Sequence, residues 1–200
     1  MKKNKIFVQI AAYRDPELPN TLKNLLDNAK NPENLVVCIA NQYDDIHAID
    51  QYRNDSRFKI LDIPFAESQG ACWARNTIQQ NYDDEEYTFQ LDSHHRFTKN
   101  WDAELIKMIK QLKKKGHKKP LLTAYISSFN PENDPAERIE IPWKMNFDRF
   151  IPEGAVFFLP ASIDDYKSRT EPLPSRFYSA HFCFTLGQFC KEVPHDPEYY

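Results

Sequence analysis

The chain has 200 residues and a formal net charge of −3, a length suited to one domain that removes about 70% of its unfolded surface on folding, and a charge that offers no basic field to nucleic acid. No apolar run reaches the roughly 18 residues of a membrane span, and the start, Met1-Lys2-Lys3-Asn4-Lys5 followed by an apolar stretch to Ala12, leads into Tyr13-Arg14-Asp15 rather than a cleavage site; the expectation is a cytoplasmic protein. Cys38, Cys72, Cys183 and Cys190 show no close-paired spacing, which fits reduced core thiols better than zinc ligands or disulfides.

Residues 5–12 read as a continuously apolar strand, after which Leu18, Leu22, Leu25, Leu26 and Ala29 recur at helical spacing until Asn31-Pro32 stops the helix. Residues 35–40 form a second buried strand, so the opening is β-α-β with parallel strands and a right-handed crossover. A short helix over 45–52, a strand over 58–63 and a helix over 69–80 capped by Ser68 come next. The acidic turn Asp83-Asp84-Glu85-Glu86 leads into a strand over 87–91, then a helix over 102–115 with Leu105, Met108, Ile109 and Leu112 on one face, then a strand over 121–126. This alternation predicts an α/β fold, a Rossmann-like and mostly parallel open sheet with flanking helices. The rhythm breaks after Ser127. Prolines at 131, 135, 142, 152, 160, 172 and 174 mark an irregular region in which only 155–159 and 180–186, the latter carrying His181, read as strands. The expected organisation is a single domain over 1–200, with nucleotide handling in 1–126 and acceptor handling in 127–200.

The most informative segment is Tyr87-Thr88-Phe89-Gln90-Leu91-Asp92-Ser93-His94-His95-Arg96-Phe97, where a buried strand runs into an Asp-X-His triplet. In an open α/β sheet that sets a carboxylate and an imidazole at the carboxyl edge of the strands, where ligands bind. Asp92 and His94 can face one divalent ion of the Mn²⁺ type, with a diphosphate in the remaining positions; read alone, the same Asp and Ser can simply end a strand and open a turn. Within Phe65-Ala66-Glu67-Ser68-Gln69-Gly70-Ala71-Cys72-Trp73-Ala74-Arg75-Asn76, Gly70 allows close backbone approach. Arg75 offers a forked donor to a diphosphate or to Asp92, or is an ordinary surface residue of an amphipathic helix.

Ala11-Ala12-Tyr13-Arg14-Asp15, at the end of the first strand, supplies small residues, an aromatic platform and polar groups where a base and ribose would lie; residues 41–44 are a weaker candidate of the same kind. His95 reads equally as a packed or a binding side chain. His181 is either a satisfied core histidine or a pocket residue near the metal or the transferred sugar. Glu140, Trp143 and Asp148 are weak candidates for hydroxyl contacts. A phosphate loop, a Gly-X-Ser-X-Gly elbow and H-E-X-X-H are all missing, which sets aside serine hydrolase and zinc protease chemistry.

Four segments together, Phe7-Val8-Gln9-Ile10-Ala11-Ala12-Tyr13-Arg14-Asp15-Pro16, Gly70-Ala71-Cys72-Trp73-Ala74-Arg75, Gln90-Leu91-Asp92-Ser93-His94 and Ser179-Ala180-His181-Phe182, give a chain that resembles the N-acetylglucosaminyltransferase family that includes the cytoplasmic hydroxyproline enzymes. The resemblance runs over nearly the whole chain, with the segments in the family's order. It implies a GT-A type fold, a UDP-sugar donor (UDP-N-acetylglucosamine), Mn²⁺ or Mg²⁺, and transfer to a hydroxyl acceptor on protein or glycan with retention at the anomeric carbon. By motif it implies Asp92 and His94 as metal ligands. Ala11, Tyr13, Arg14, Arg75 and Asp92 fall on the donor nucleotide, and Asp92 with His181 at the reacting sugar. In the family's pattern Val193-Pro194-His195-Asp196-Pro197-Glu198-Tyr199-Tyr200 is followed by an acidic Gly-Glu-Glu type segment. The chain stops at Tyr200, as a truncated product or a shortened relative would, and the expectation is that a third metal ligand and acidic groups near the sugar are absent, which bears on turnover more than on nucleotide binding. Two rival readings are a nucleotidyltransferase, which would want a glycine-rich basic loop near the first strand, and a catalytically silent sugar-nucleotide or glycan-binding module.

Overall fold

The computed structural model describes residues 1–199. β1 (Lys2–Tyr13) is buried on both faces from Ile6 to Ile10, and α1 (Leu18–Asn28) carries Pro19 in its first turn and turns Leu18, Thr21, Leu22 and Leu25 inward. β2 (Leu35–Tyr43), a 3-10 segment at Ile46–Tyr52, β3 (Phe58–Pro64), α2 (Ala71–Gln79), β4 (Glu85–Asp92), α3 (Trp101–Lys114) and β5 (Leu121–Thr123) follow. Beyond them lie β6 (Trp143–Phe150), β7 (Val156–Ser162), β8 (Phe182–Leu186) and the short α4 (Phe189–Glu192).

The main sheet has the order β3-β2-β1-β4-β8-β5, and β6 and β7 form a separate two-stranded sheet. β1 pairs in parallel with β2 and β4, and β2 with β3, whereas β8 runs antiparallel to both β4 and β5. Because side chains alternate across a pleated strand, Ile6, Val8 and Ile10 join α1 and α3 on one face. Phe7 joins Cys38, Ala74, Ile78 and Cys190 on the other. Phe89 anchors the larger core, with ring centroids 4.9 Å from Phe182, 5.3 Å from Trp101 and 5.8 Å from Phe184.

Several local expectations change. The residue that caps α2 is Gly70, at φ 98, a left-handed conformation open to glycine; Ser68 sits two residues earlier, its Oγ accepting the Gly70 N–H at 3.4 Å and donating to Gln42 Oε1 at 2.5 Å. The strand expected over 121–126 ends at Thr123, and the one expected over 180–186 starts at Phe182, leaving His181 in the preceding turn. β6 has no counterpart among the expected elements, because it is largely exposed and its charged residues break any apolar alternation. β7 extends past the expected 155–159 to Ser162 and contains Pro160, which a two-stranded ribbon tolerates because one side of each strand is unpaired. No helix among the described residues is long and apolar enough to cross a membrane.

Candidate functional site

The parallel register sets Ala11 of β1 beside both Ala40 of β2 and Asp92 of β4. Three strands therefore end in line, and α2 begins beside them at Gly70. A cleft of about 680 Å³ opens at this carboxyl edge, lined among others by Ala11, Tyr13, Gln42, Arg75, Asp92 and His94. Small side chains at Ala11 and Gly70 leave it room, and Tyr13, half exposed, forms an aromatic wall.

Arg75 and Asp92 meet across the cleft at 3.3 Å, Nη2 to Oδ1, with side chains 17% and 32% exposed, so the pair is shielded yet open to a ligand. In the loop after β1, Asp15 gathers donors from the loop after β4 and from its own: its Oδ2 accepts the Ser93 hydroxyl at 2.5 Å and His94 Nδ1 at 2.7 Å, and its Oδ1 accepts the Glu17 N–H at 2.9 Å. Burial by itself would raise the Asp15 carboxyl, but the hydrogen bonds from His94, Ser93 and Glu17 outweigh it and hold the group at about 2. The Asp15 carboxylate in turn raises His94 above the usual imidazole range. His95 packs instead of binding: it is buried, its Nδ1 lies 3.1 Å from the Asp92 carbonyl, and burial pushes it down to about 4.

His181 reaches the same neighbourhood from the turn before β8. Its Nε2 accepts the Ile126 N–H at 3.1 Å, its Nδ1 lies 2.7 Å from Ser179 Oγ, and its ring meets Tyr125 edge-on at 5.2 Å. A backbone donor on Nε2 requires the proton on Nδ1, and burial lowers the group's affinity for a second proton. Tyr125 continues the wall by bridging to Trp143 at the start of β6.

Of the residues singled out in the sequence, Ala11, Tyr13, Arg75, Asp92 and His94 line one cleft, with His181 held in the turn before β8. Arg14 lies outside the lining: at φ 50 its guanidinium turns to Asp44 at 2.6 Å and covers the Phe65 ring at 4.5 Å, so it supports the Phe65 wall from behind. Asn41 is spent on Asp62 at 2.9 Å, whereas its neighbour Gln42 lines the cleft. Asp148 pairs with Arg149 on the exposed hairpin, and Glu140 is exposed. Missed from the sequence was the polar belt Gln90-His195-Gln79. There His195 Nε2 lies 2.8 Å from Gln90 Oε1, and the His195 N–H donates to Gln79 Oε1 at 2.8 Å.

Among the described residues no three His, Cys, Asp or Glu side chains converge on one metal position. Asp92 and His94 present one carboxylate and one imidazole at the cleft. That donor pair would suit a Mn²⁺-type ion, with diphosphate oxygens and water to complete its coordination.

Solved structures of similar architecture are glycosyltransferases. GalNAc-T7, in a crystal structure with UDP, GalNAc and Mn²⁺, aligns over 96% of this chain and 37% of its own, with a TM-score of 0.68 and 16% identity. S. aureus TarS 1-349 aligns over 94% of this chain and 48% of its own, with a TM-score of 0.56 and 15% identity. Its complex with UDP-GlcNAc aligns over 66% and 37%, at 0.51 and 18%. At these identities the likeness establishes the GT-A fold, and the chain spans less than half the length of either protein. No curated protein matches the chain. The family described as Glycosyltransferase (GlcNAc) matches residues 5–51 and 45–200, nearly the whole chain, and the chain belongs to that family.

Proposed function

We propose that this chain binds a UDP-sugar in the cleft at the carboxyl edge of β1, β2 and β4 and transfers the sugar, N-acetylglucosamine, to a hydroxyl acceptor with retention. The observation that carries the reading is the meeting of Arg75, Asp92, His94 and Tyr13 in one cleft at the edge where open α/β sheets take nucleotides. Tyr13 and Ala11 receive the base and ribose, and Arg75 faces the diphosphate. Asp92 and His94 hold Mn²⁺ or Mg²⁺. The solved glycosyltransferases of this fold that contain UDP and Mn²⁺, or UDP-GlcNAc, support it.

A bound divalent ion supplies Lewis-acid stabilisation of the charge on the departing diphosphate. The rest falls to the chain itself. Arg75 holds the diphosphate with charge-assisted hydrogen bonds and keeps the Asp92 carboxylate turned into the cleft. Tyr125, Trp143 and His181 form the wall on the acceptor side. With both ring nitrogens engaged, His181 orients groups beside the reacting sugar rather than removing a proton, and the departing diphosphate oxygen takes the acceptor proton. Positioning the hydroxyl close to the anomeric carbon then contributes as much as any base. The acceptor is a hydroxyl on protein or glycan in the cytoplasm, and the chain acts as one domain, residues 1–126 holding the donor and 127–200 the acceptor.

Calorimetric titration of UDP with Mn²⁺, repeated with chelator, tests this reading. Binding that requires the metal is expected; binding indifferent to chelator, or none in either condition, overturns it. The two-donor set among the described residues favours one second reading, a sugar-nucleotide-binding module without turnover. Slow release of sugar from UDP-GlcNAc by the protein excludes the module, and tight UDP binding without any release supports it.

A further inference from the structure

We infer that Asp15 is the residue that fixes the tautomer and direction of His94, and that it is a positioning residue for the metal site rather than a contact for the base or ribose. The inference rests on the reading of His94 as a metal ligand.

Both Asp15 oxygens are already committed. Oδ2 takes the Ser93 hydroxyl and His94 Nδ1, Oδ1 takes the Glu17 N–H, and the side chain is only 14% exposed. An ionised carboxylate only accepts hydrogen bonds, so the His94 proton must sit on Nδ1, and the Nε2 lone pair is left facing outward. His94 is 58% exposed and lines the cleft, and no described residue hydrogen-bonds its Nε2. A free imidazole turns about its side-chain bonds and favours the opposite tautomer in water; here the ring is held against Asp15 with its ligating nitrogen already bare. Ser93, the middle residue of the Asp-Ser-His triplet, donates to the same oxygen, so the loop backbone and the ring are tied to one anchor on β1's end. This arrangement is the carboxylate–histidine partnership by which a protein sets the ligand basicity and angle of a metal-binding imidazole, and removing the outer partner costs about 10–100-fold in metal affinity.

The inference is tested first on the unaltered protein, free of metal, at about pH 9, above the ordinary imidazole range. Long-range proton–nitrogen correlation spectra are expected to show His94 protonated at Nδ1 alone; Nε2 protonation overturns the inference without any variant. Asp15→Ala is expected to move His94 toward the Nε2-protonated form and to weaken Mn²⁺ binding, read by electron paramagnetic resonance with saturating UDP, by about 10–100-fold. The single oxygen of Asp15→Asn can serve His94 Nδ1 only by giving up the Glu17 N–H, so this variant is expected to keep the Nδ1 tautomer with a smaller loss of affinity than alanine, and it stands in if the alanine variant does not fold. His94→Ala separates the two readings. If it binds Mn²⁺ like the wild type, the metal reading of His94 fails. If it loses Mn²⁺ while folded Asp15→Ala does not, only the role of Asp15 fails.

Discussion

Asp92 carries two loads at once: it takes a hydrogen bond from Arg75 and presents its carboxylate to the cleft. Asp92→Asn nearly keeps the shape and removes the charge, and calorimetry is expected to show most of the metal-dependent UDP affinity gone, at least about tenfold, since one of the two proposed ligands is neutralised. Wild-type-like binding by the folded variant would defeat the site assignment. Arg75 separates diphosphate from nucleoside. A hydrogen bond to a charged group is worth about 1.5–3 kcal/mol, so Arg75→Ala is expected to weaken UDP about 10–100-fold while uridine binding changes only a few-fold. Equal losses for both ligands would mean that Arg75 matters for the packing of α2 and not for the phosphates.

At the scale of elements, the turn from β8 into α4 is a tight joint. A Cβ built on Gly187 would lie 2.0 Å from the Glu85 carbonyl oxygen and 2.8 Å from the Tyr82 ring. The Gly187 N–H also donates to the Glu86 carbonyl at 2.9 Å. Neither the backbone carbonyl nor the β4 strand that owns it can yield freely, so Gly187→Ala is expected to cost about 1–3 kcal/mol. The check is a lower urea midpoint at unchanged m-value; an unchanged midpoint would mean that β8 shifts to make room. The elements that could be read in the sequence are those buried on both faces. β1 and β2 are nearly continuously apolar, β4 sets Tyr87, Phe89 and Leu91 among the buried polar Thr88 and Gln90, and the helices between them carry clear apolar stripes, so their order and parallel sense follow from local pattern. β6 could not be read because exposure, not burial, sets its composition, and the antiparallel sense of β8 depends on partners far away in sequence. The site divides the same way. The triplet Asp92-Ser93-His94 and Arg75 announce themselves by spacing, whereas the bond from His94 to Asp15 joins residues 79 positions apart, and nothing local to either marks it. Arg14 looked like a nucleotide contact for the same reason: the sequence placed it at the correct strand end, but its φ of 50 turns it toward Asp44.

Across the whole molecule, the two halves are joined by an ion network. Arg96, four residues after Asp92, has a side chain only 8% exposed and reaches Glu17 at 2.5 Å and Asp134 at 2.6 Å, while Arg138 also pairs with Asp134. Hydrogen bonding from Arg138, and then from Arg96, holds the Asp134 carboxyl at about 2 against the opposing effect of burial, compared with 3.8 for the free group. A carboxyl depressed in the folded state lends stability above its unfolded value and loses it as pH falls toward its folded value. The wild type is therefore expected to lose stability relative to Asp134→Asn between about pH 4 and pH 2, read as converging urea midpoints; parallel midpoints across that window would show that the network contributes nothing. The return of the chain has an evolutionary consequence. Residues 124–181 leave the sheet after Thr123 and the chain returns at Phe182, and Thr123 and Cys183 are direct cross-strand partners, with Cα atoms about 5 Å apart. Ser179 and Phe182 are stapled to the Thr123 hydroxyl at the same place. The hairpin-bearing stretch is thus a cassette with adjoining ends, open to exchange by recombination while the cleft stays where β1, β2 and β4 put it. A chimera carrying a foreign cassette is expected to keep its UDP affinity within a few-fold and to change its acceptor, so diversification of targets needs no redesign of the nucleotide machinery.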